Sequence, residues 1–439
     1  MSQEKGWVPD TQINQDILRP LLVSRWPFYL LVVVLGLIVL NGLLAWGYQL
    51  RTGMGVAGIN MPVMWGIYIV NFVFWVGISH AGTLISAILR LLQADWRRPI
   101  TRAAETMTTF SLIVAGMFPI IHLGRSWVFY YLIPYPSERA IWPNFRSPLL
   151  WDMTAIFTYL TGSSLFLYVA MIPDLALARD NTRGWRHKFY SILALGWRGS
   201  EMEWQRLRKA CALLTVLIIP VFISVHSIVS WDFGMTVVPG WHSTIFAPYF
   251  VVGAILSGVA AVISLMAILR KVYGLEEYIR PIHFDNLGKL LLAVSLLWFY
   301  FFFAEALTLW YGGMPSEMEV IRHRHHDYEP LFLITMLCNV IIPVPLLAFK
   351  RVRNNIGAIF ALSLIINVGM FLERFLIIVP SLARQRLPYM WGGYAPTWVE
   401  LSITAGALAG FSLAYALFTK LFPIVAIWEV REGQIPSHD

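Results

Sequence analysis

Long apolar runs alternate along the chain with short charged or Pro- and Gly-rich breaks. Reading the runs between breaks predicts helices over 28–49, 63–89, 104–123, 149–172, 208–230, 245–269, 288–311, 330–349, 355–380 and 398–422. Each of these about ten spans is near the ~20 residues that a helix needs to cross a ~30 Å hydrocarbon core at 1.5 Å per residue. Strands of a closed barrel alternate every second residue and leave no such runs. The pattern therefore predicts an all-α integral membrane protein. Trp and Tyr gather at the run ends, at Trp26, Tyr48, Trp65, Trp127, Trp151, Trp231, Tyr249, Trp310, Tyr311, Trp398 and Trp428, where an interfacial belt would place them.

Composition agrees: 58% of the 439 residues are hydrophobic and only 13% are charged. A soluble protein so apolar would lack the polar surface to cover itself. The charges set an orientation. With the N-terminus placed in the cytoplasm, most of the 33 Lys and Arg residues fall on that side. They include Arg90, Arg97, Arg98 and Arg102, the set from Arg179 to Lys209, and Lys350, Arg351 and Arg353. By the positive-inside rule, an even number of spans with both termini cytoplasmic is expected. The +8 formal charge is then a membrane-surface bias rather than a sign of nucleic-acid binding.

Residues 1–27 carry Asp10, Asp16, Arg19 and Arg25 and no small-residue cleavage site, so they read as a cytoplasmic segment ahead of a permanently inserted first span. Residues 28–422 form the transmembrane domain and 423–439 a cytoplasmic tail, polar and disordered from 429 onward. The stretch 180–205 is too charged to span and reads as an amphipathic helix on the membrane surface. Cys211 and Cys338 lie in separate spans without Cys-x-x-Cys spacing, so this chain is expected to hold no iron–sulfur cluster. The run Arg322-His323-Arg324-His325-His326-Asp327 has the composition of a metal tract. Its outer-loop position favours a solvated or docking face, and no metal site is expected.

Ionisable side chains inside a bilayer are costly and need a reason. Span 3 runs outward and ends at His122 and Arg125; span 4 begins on that side with Trp151 and Asp152; span 5 runs outward past His226 to Asp232. Three consecutive spans thus bring His122, Arg125, Asp152, His226 and Asp232 toward one outer level. Two histidines and two carboxylates among aromatic walls suit oxidation of a quinol, whose hydroxyls must be hydrogen-bonded and must lose two protons as two electrons leave. For each residue alone, an interfacial side chain satisfied by water is the plainer alternative. A second group lies deeper: His80, Glu105, Asp174 and Glu305, with Glu373 and Arg374 in span 9. His80, Glu105, Asp174 and Glu305 are candidates for a proton path, with buried packing polar groups as the alternative.

The stretch Trp142-Pro-Asn-Phe-Arg-Ser-Pro-Leu-Leu-Trp-Asp152, then His226-Ser-Ile-Val-Ser-Trp-Asp-Phe233, then Pro239-Gly-Trp-His-Ser-Thr-Ile-Phe246, resembles the NrfD/PsrC-like membrane subunits. Glu373-Arg374 and Tyr394-Ala-Pro-Thr-Trp398 are similar too. Within that family the likeness is greatest to the ActC type of bacterial alternative complex III. The resemblance implies two four-helix bundles, spans 2–5 and 6–9, flanked by spans 1 and 10. It implies a menaquinol site at the periplasmic face of the first bundle, with His122, Asp152 and Asp232 catalytic and Arg125, Trp151 and His226 around the quinol. It also implies an adjacent iron–sulfur subunit, c-type cytochrome subunits, a second NrfD-like membrane subunit and a place in the bacterial inner membrane. No haem is expected in this chain.

Two other classes stay open on the residues. A haem-b anchor needs an axial His pair, for which His122 and His226 are the candidates at one depth, His80 having no evident partner. A secondary transporter could use His80 and Glu305, although no inverted repeat or broken helix pair is evident.

Overall fold

The computed structural model describes residues 8–132 and 148–433. Ten of its helices are long and apolar enough to cross a membrane. These are α2 (Trp26–Thr52), α3 (Ile67–Leu91), α4 (Thr101–His122), α5 (Pro148–Asp180), α7 (Glu201–Gly234), α8 (Phe246–Tyr273), α9 (Pro281–Gly312), α11 (Glu329–Ala348), α12 (Ile356–Ala383) and α13 (Trp398–Leu421). Four shorter helices accompany them: α1 (Asp10–Leu22), α6 (Trp185–Leu193), α10 (Pro315–His326) and α14 (Ile427–Glu432). No strand occurs among the described residues.

Helix α3 is the most enclosed, and α4, α7, α8 and α12 all pack on it. Its small residues make that possible. A Cβ on Gly82 would lie 2.0 Å from Thr108 Oγ1 on α4, and one on Gly258 of α8 would lie 2.9 Å from Ala81 Cβ. In lipid, where apolar surface has no preference for protein over acyl chain, such close backbone approach and the dispersion contacts it brings hold helices together. The outlying spans α2 and α13 pack chiefly on each other.

The spans match the apolar runs, but helix ends reach past them. Helices α5 and α7 have 33 and 34 residues, so their charged ends project beyond the hydrocarbon core. Only Trp185–Leu193 of the 180–205 stretch is an independent helix, because Glu201 onward already belongs to α7, started by a Ser200–Glu203 capping box. The tract Arg322–Asp327 closes helix α10 and is not a loop. There His323 Nδ1 lies 2.5 Å from Asp327 Oδ2 and an Arg384 guanidinium nitrogen 3.0 Å from it. The His323 hydrogen bond and the Arg384 charge hold the Asp327 carboxyl below the usual carboxylate range.

The chain ends depart most from expectation. Residues 10–22 form helix α1, packed on α13 and α14, and residues 429–432 are helical rather than disordered. The cause is charge compensation. Glu429 is 2% exposed, receives an Arg97 guanidinium N–H at 2.8 Å and is also paired with Arg90. Asp174 accepts from the main-chain N–H of Ile427 (3.2 Å) and Trp428 (3.3 Å) and from Arg102 (3.0 Å). The Trp428 indole donates to the Ala170 carbonyl at 2.9 Å.

Asp174→Ala would strand the buried Arg102 charge and free the start of α14. Breaking one side of a buried pair costs about 3–5 kcal/mol. The solubilised variant should melt at a lower temperature and lose its C-terminal segment to trypsin faster. Wild-type melting and cleavage would show that Asp174 does not fasten α14.

Candidate functional site

At the end of the molecule opposite the termini, α3, α4, α5 and α7 enclose a cavity of about 480 Å³. Its walls are almost entirely apolar, with Trp65, Phe72, Phe129, Phe157 and Phe233 the aromatic contributors. The polar exceptions are His122, Asp152 and Asp232. Each arrives at a helix end. His122 is the last residue of α4, three after Pro119; Asp152 lies one turn into α5; Asp232 stands two residues before the end of α7. His122 Nδ1, Asp152 Oδ1 and Asp232 Oδ1 are buried without a hydrogen-bond partner among the described residues. Buried polar atoms are nearly always paired, so three unpaired ones around one apolar hollow make it a candidate place for a polar guest.

The wall beside Asp232 is braced. Trp65 stacks on Trp241 with ring centroids 6.0 Å apart and planes at 19°, and Phe233 meets Trp241 edge-on at 5.0 Å. The Trp241 indole donates to the Ile377 carbonyl on α12 at 2.9 Å. The start of α3, next to Trp65, is fastened by Tyr394. Its hydroxyl accepts from the Ile67 N–H at 2.8 Å and donates to Glu400 at 2.7 Å. Glu400 in turn accepts from the Gly58 N–H at 2.8 Å. Sequence reading marks Trp65 only as an interfacial residue. Its position beside Phe233 and Trp241 depends on contacts more than 160 residues apart in the chain.

The remaining expected residues lie elsewhere. Arg125 is exposed beyond α4. Trp151 faces a separate groove on the far side of α5 and packs edge-on against Trp231 at 6.3 Å. His226 lies six residues before Asp232, about 9 Å deeper along the helix. It is therefore not at the level of His122, because those six residues carry it down about 1.7 turns. It meets His80 instead, with ring centroids 4.6 Å apart. His80 thus has a partner that sequence reading does not supply, and His226 is not paired with His122. His80 also spans two helices: Nδ1 lies 2.7 Å from the Val76 carbonyl oxygen and Nε2 3.1 Å from that of Phe222.

The deeper residues stand apart from one another. Glu105 is buried near the start of α4, with neither carboxylate oxygen partnered among the described residues. Asp174 holds Arg102 and α14. Glu305 is buried on α9, on the side of the molecule where the Tyr249 hydroxyl donates to Glu373 and Arg374 lies over the Phe250 ring at 4.8 Å. No hydrogen bond among the described residues joins any two of His80, Glu105, Asp174 and Glu305. The Trp142–Ser147 part of the sequence motif lies outside the described residues.

A family model described as Polysulphide reductase, NrfD matches residues 55–385. A protein of Halobacterium salinarum named as a putative membrane subunit of dimethyl sulfoxide reductase is 26% identical over 417 residues, covering 89% of this chain and 90% of the relative. A selenate reductase subunit from Mesobacillus selenatarsenatis is 23% identical over 415 residues, covering 89% and 93%. The Hdr-like menaquinol oxidoreductase integral membrane subunit from Archaeoglobus fulgidus is 20% identical over 429 residues, covering 92% and 95%.

His80→Ala should destabilise the α3–α7 contact, since it deletes the ring's contacts with Phe222 and His226 and leaves a hole beside His226. A loss of about 2–4 kcal/mol is expected from the missing packing and hydrogen bonding. Thermal unfolding of the purified protein measures it, and an unshifted transition would rule out this bridging role.

Proposed function

The chain belongs to the NrfD polysulphide reductase family, and from that premise we propose that it is the menaquinol-oxidising membrane subunit of an alternative complex III-type oxidoreductase. The observation that carries this reading is the apolar cavity whose polar edges, among the described residues, are His122, Asp152 and Asp232. A naphthoquinol matches it in kind: a flat apolar ring system with two hydroxyl groups. The likeness to a relative named as a menaquinol oxidoreductase subunit supports the same substrate.

Positive-inside charge favours termini in the cytoplasm and the cavity near the periplasmic face of a bacterial inner membrane. The packing of α3, α4, α5 and α7, and of α8, α9, α11 and α12, supports two four-helix bundles within a transmembrane domain spanning 28–422. Quinol hydroxyls would donate to His122 Nδ1 and to the Asp152 and Asp232 carboxylate oxygens. Oxidation releases two protons and two electrons from each quinol and leaves the quinone. The three side chains take the protons and pass them to the nearby aqueous face. The electrons would leave for an iron–sulfur cluster in an adjacent subunit and, beyond it, for c-type cytochromes. The membrane part of the complex would include a second NrfD-like subunit. Arg125, at the same end of the molecule, fits a role at the rim, His226 a role behind the cavity, and Trp151 a role on the outer side of α5. His80, Glu105, Asp174 and Glu305 would serve proton translocation only through connections made during turnover.

Asp152→Asn keeps the shape of the side chain but removes its capacity to take a proton. In the purified complex it should cut quinol oxidation by about a hundredfold or more while every subunit is retained. Near-normal turnover would sink the assignment.

A further inference from the structure

On the other side of α4 from the cavity lies a second hollow of about 220 Å³, formed with α2 and α13. Ile113 and Met117 belong to the lining of both hollows. They are 44% and 40% exposed, so they form a low ridge between the two rather than a closed wall. Trp46, Phe110 and Phe411 make the sides of the second hollow. Its narrow end is where α2 and α13 touch: a Cβ on Gly42 would lie 2.9 Å from the Gly406 Cα. Along α4 it runs from Phe110 to Ile121, alongside the Leu112–Leu123 stretch that lines the cavity.

A hollow facing lipid gains little from the hydrophobic effect, because a chain entering it leaves surroundings equally apolar. Shape and connection decide what fills it. Here the connection is to a cavity that, under the proposed function, holds a quinol ring with its hydroxyls toward His122, Asp152 and Asp232. The ring's apolar tail must leave on a side away from those groups and descend into the hydrocarbon. The Ile113–Met117 ridge offers that exit, and the hollow beyond it is lined by branched and aromatic side chains. We propose that this hollow seats the first isoprenoid units of the quinol tail, so that α2 and α13 help to set the orientation of the ring. The proposal rests on the quinol reading of the cavity.

Gly410 is the handle. A Cβ there meets only Val39 Cγ2, at 3.9 Å, so Gly410→Leu sends its side chain into the hollow without striking backbone. In the intact complex, kcat/KM would be measured for a long-tailed menaquinol and for a tail-less naphthoquinol. The ratio of the first to the second should fall about fivefold in Gly410→Leu, the loss of a few well-packed contacts. In the wild-type complex, menaquinol carrying a diazirine on its second isoprene unit should label Trp46 or Phe411. An unchanged ratio with labelling elsewhere on the chain overturns the proposal. So does equal labelling of the same residues by a diazirine phospholipid in the presence of excess quinol, which would mark ordinary boundary lipid. If the wild-type complex oxidises neither quinol, the reading of the cavity fails, and the tail site with it.

Discussion

The approach of α3 to α4 and α8 is the contact on which the other distances depend. Gly82 and Ala81 let α3 lie against both neighbours at backbone range, and a Cβ added at Gly82, or at Gly258 opposite Ala81, would clash. That position puts His80 into contact with His226 and brings Trp65 up to Phe233 and Trp241. The cavity is therefore shaped less by its own lining than by how tightly a central helix is held. In a medium that offers proteins no hydrophobic attraction for each other, close fit is the chief source of such firmness.

The two ends of the molecule treat polar groups in opposite ways. Near the termini, Asp174, Arg102, Glu429 and Arg97 answer one another at ordinary hydrogen-bond distances. At the far end, the polar atoms of His122, Asp152 and Asp232 face a common apolar hollow with capacity to spare. Helix α5 carries one member of each set, Asp174 and Asp152, separated by about 33 Å of helix. A single rigid element thus joins a locked end to an open one. The contrast explains why burial by itself does not identify a site: the buried carboxylate of Asp174 is saturated, and that of Asp152 is not.

Much of this was legible in the sequence, for a physical reason. Spanning helices advertise themselves as apolar runs, and alternating direction then sends His122, Asp152 and Asp232 to one end. What could not be read depends on rotation and depth. Six residues separate His226 from Asp232, enough to move it from the level of the cavity to the level of His80. The side of α5 on which Trp151 falls is likewise a matter of how that helix is turned. The helices at the chain ends were hidden for another reason. Glu429 is an ordinary charge until Arg90 and Arg97, more than three hundred residues earlier, are seen beside it. Apolar runs also stop where the hydrocarbon stops, so they say nothing of the charged turns by which α5 and α7 extend past it.

Helices α2 and α13 lie outside the residues matched by the family model and bury small residues against each other more than against the rest. Either one alone would leave its glycines facing lipid, with backbone exposed where no partner fills the notch. The two are separated by most of the chain, yet Gly42 of one and Gly406 of the other meet at backbone range. The two ends of the chain thus close on each other as a clasp beside the helices between them.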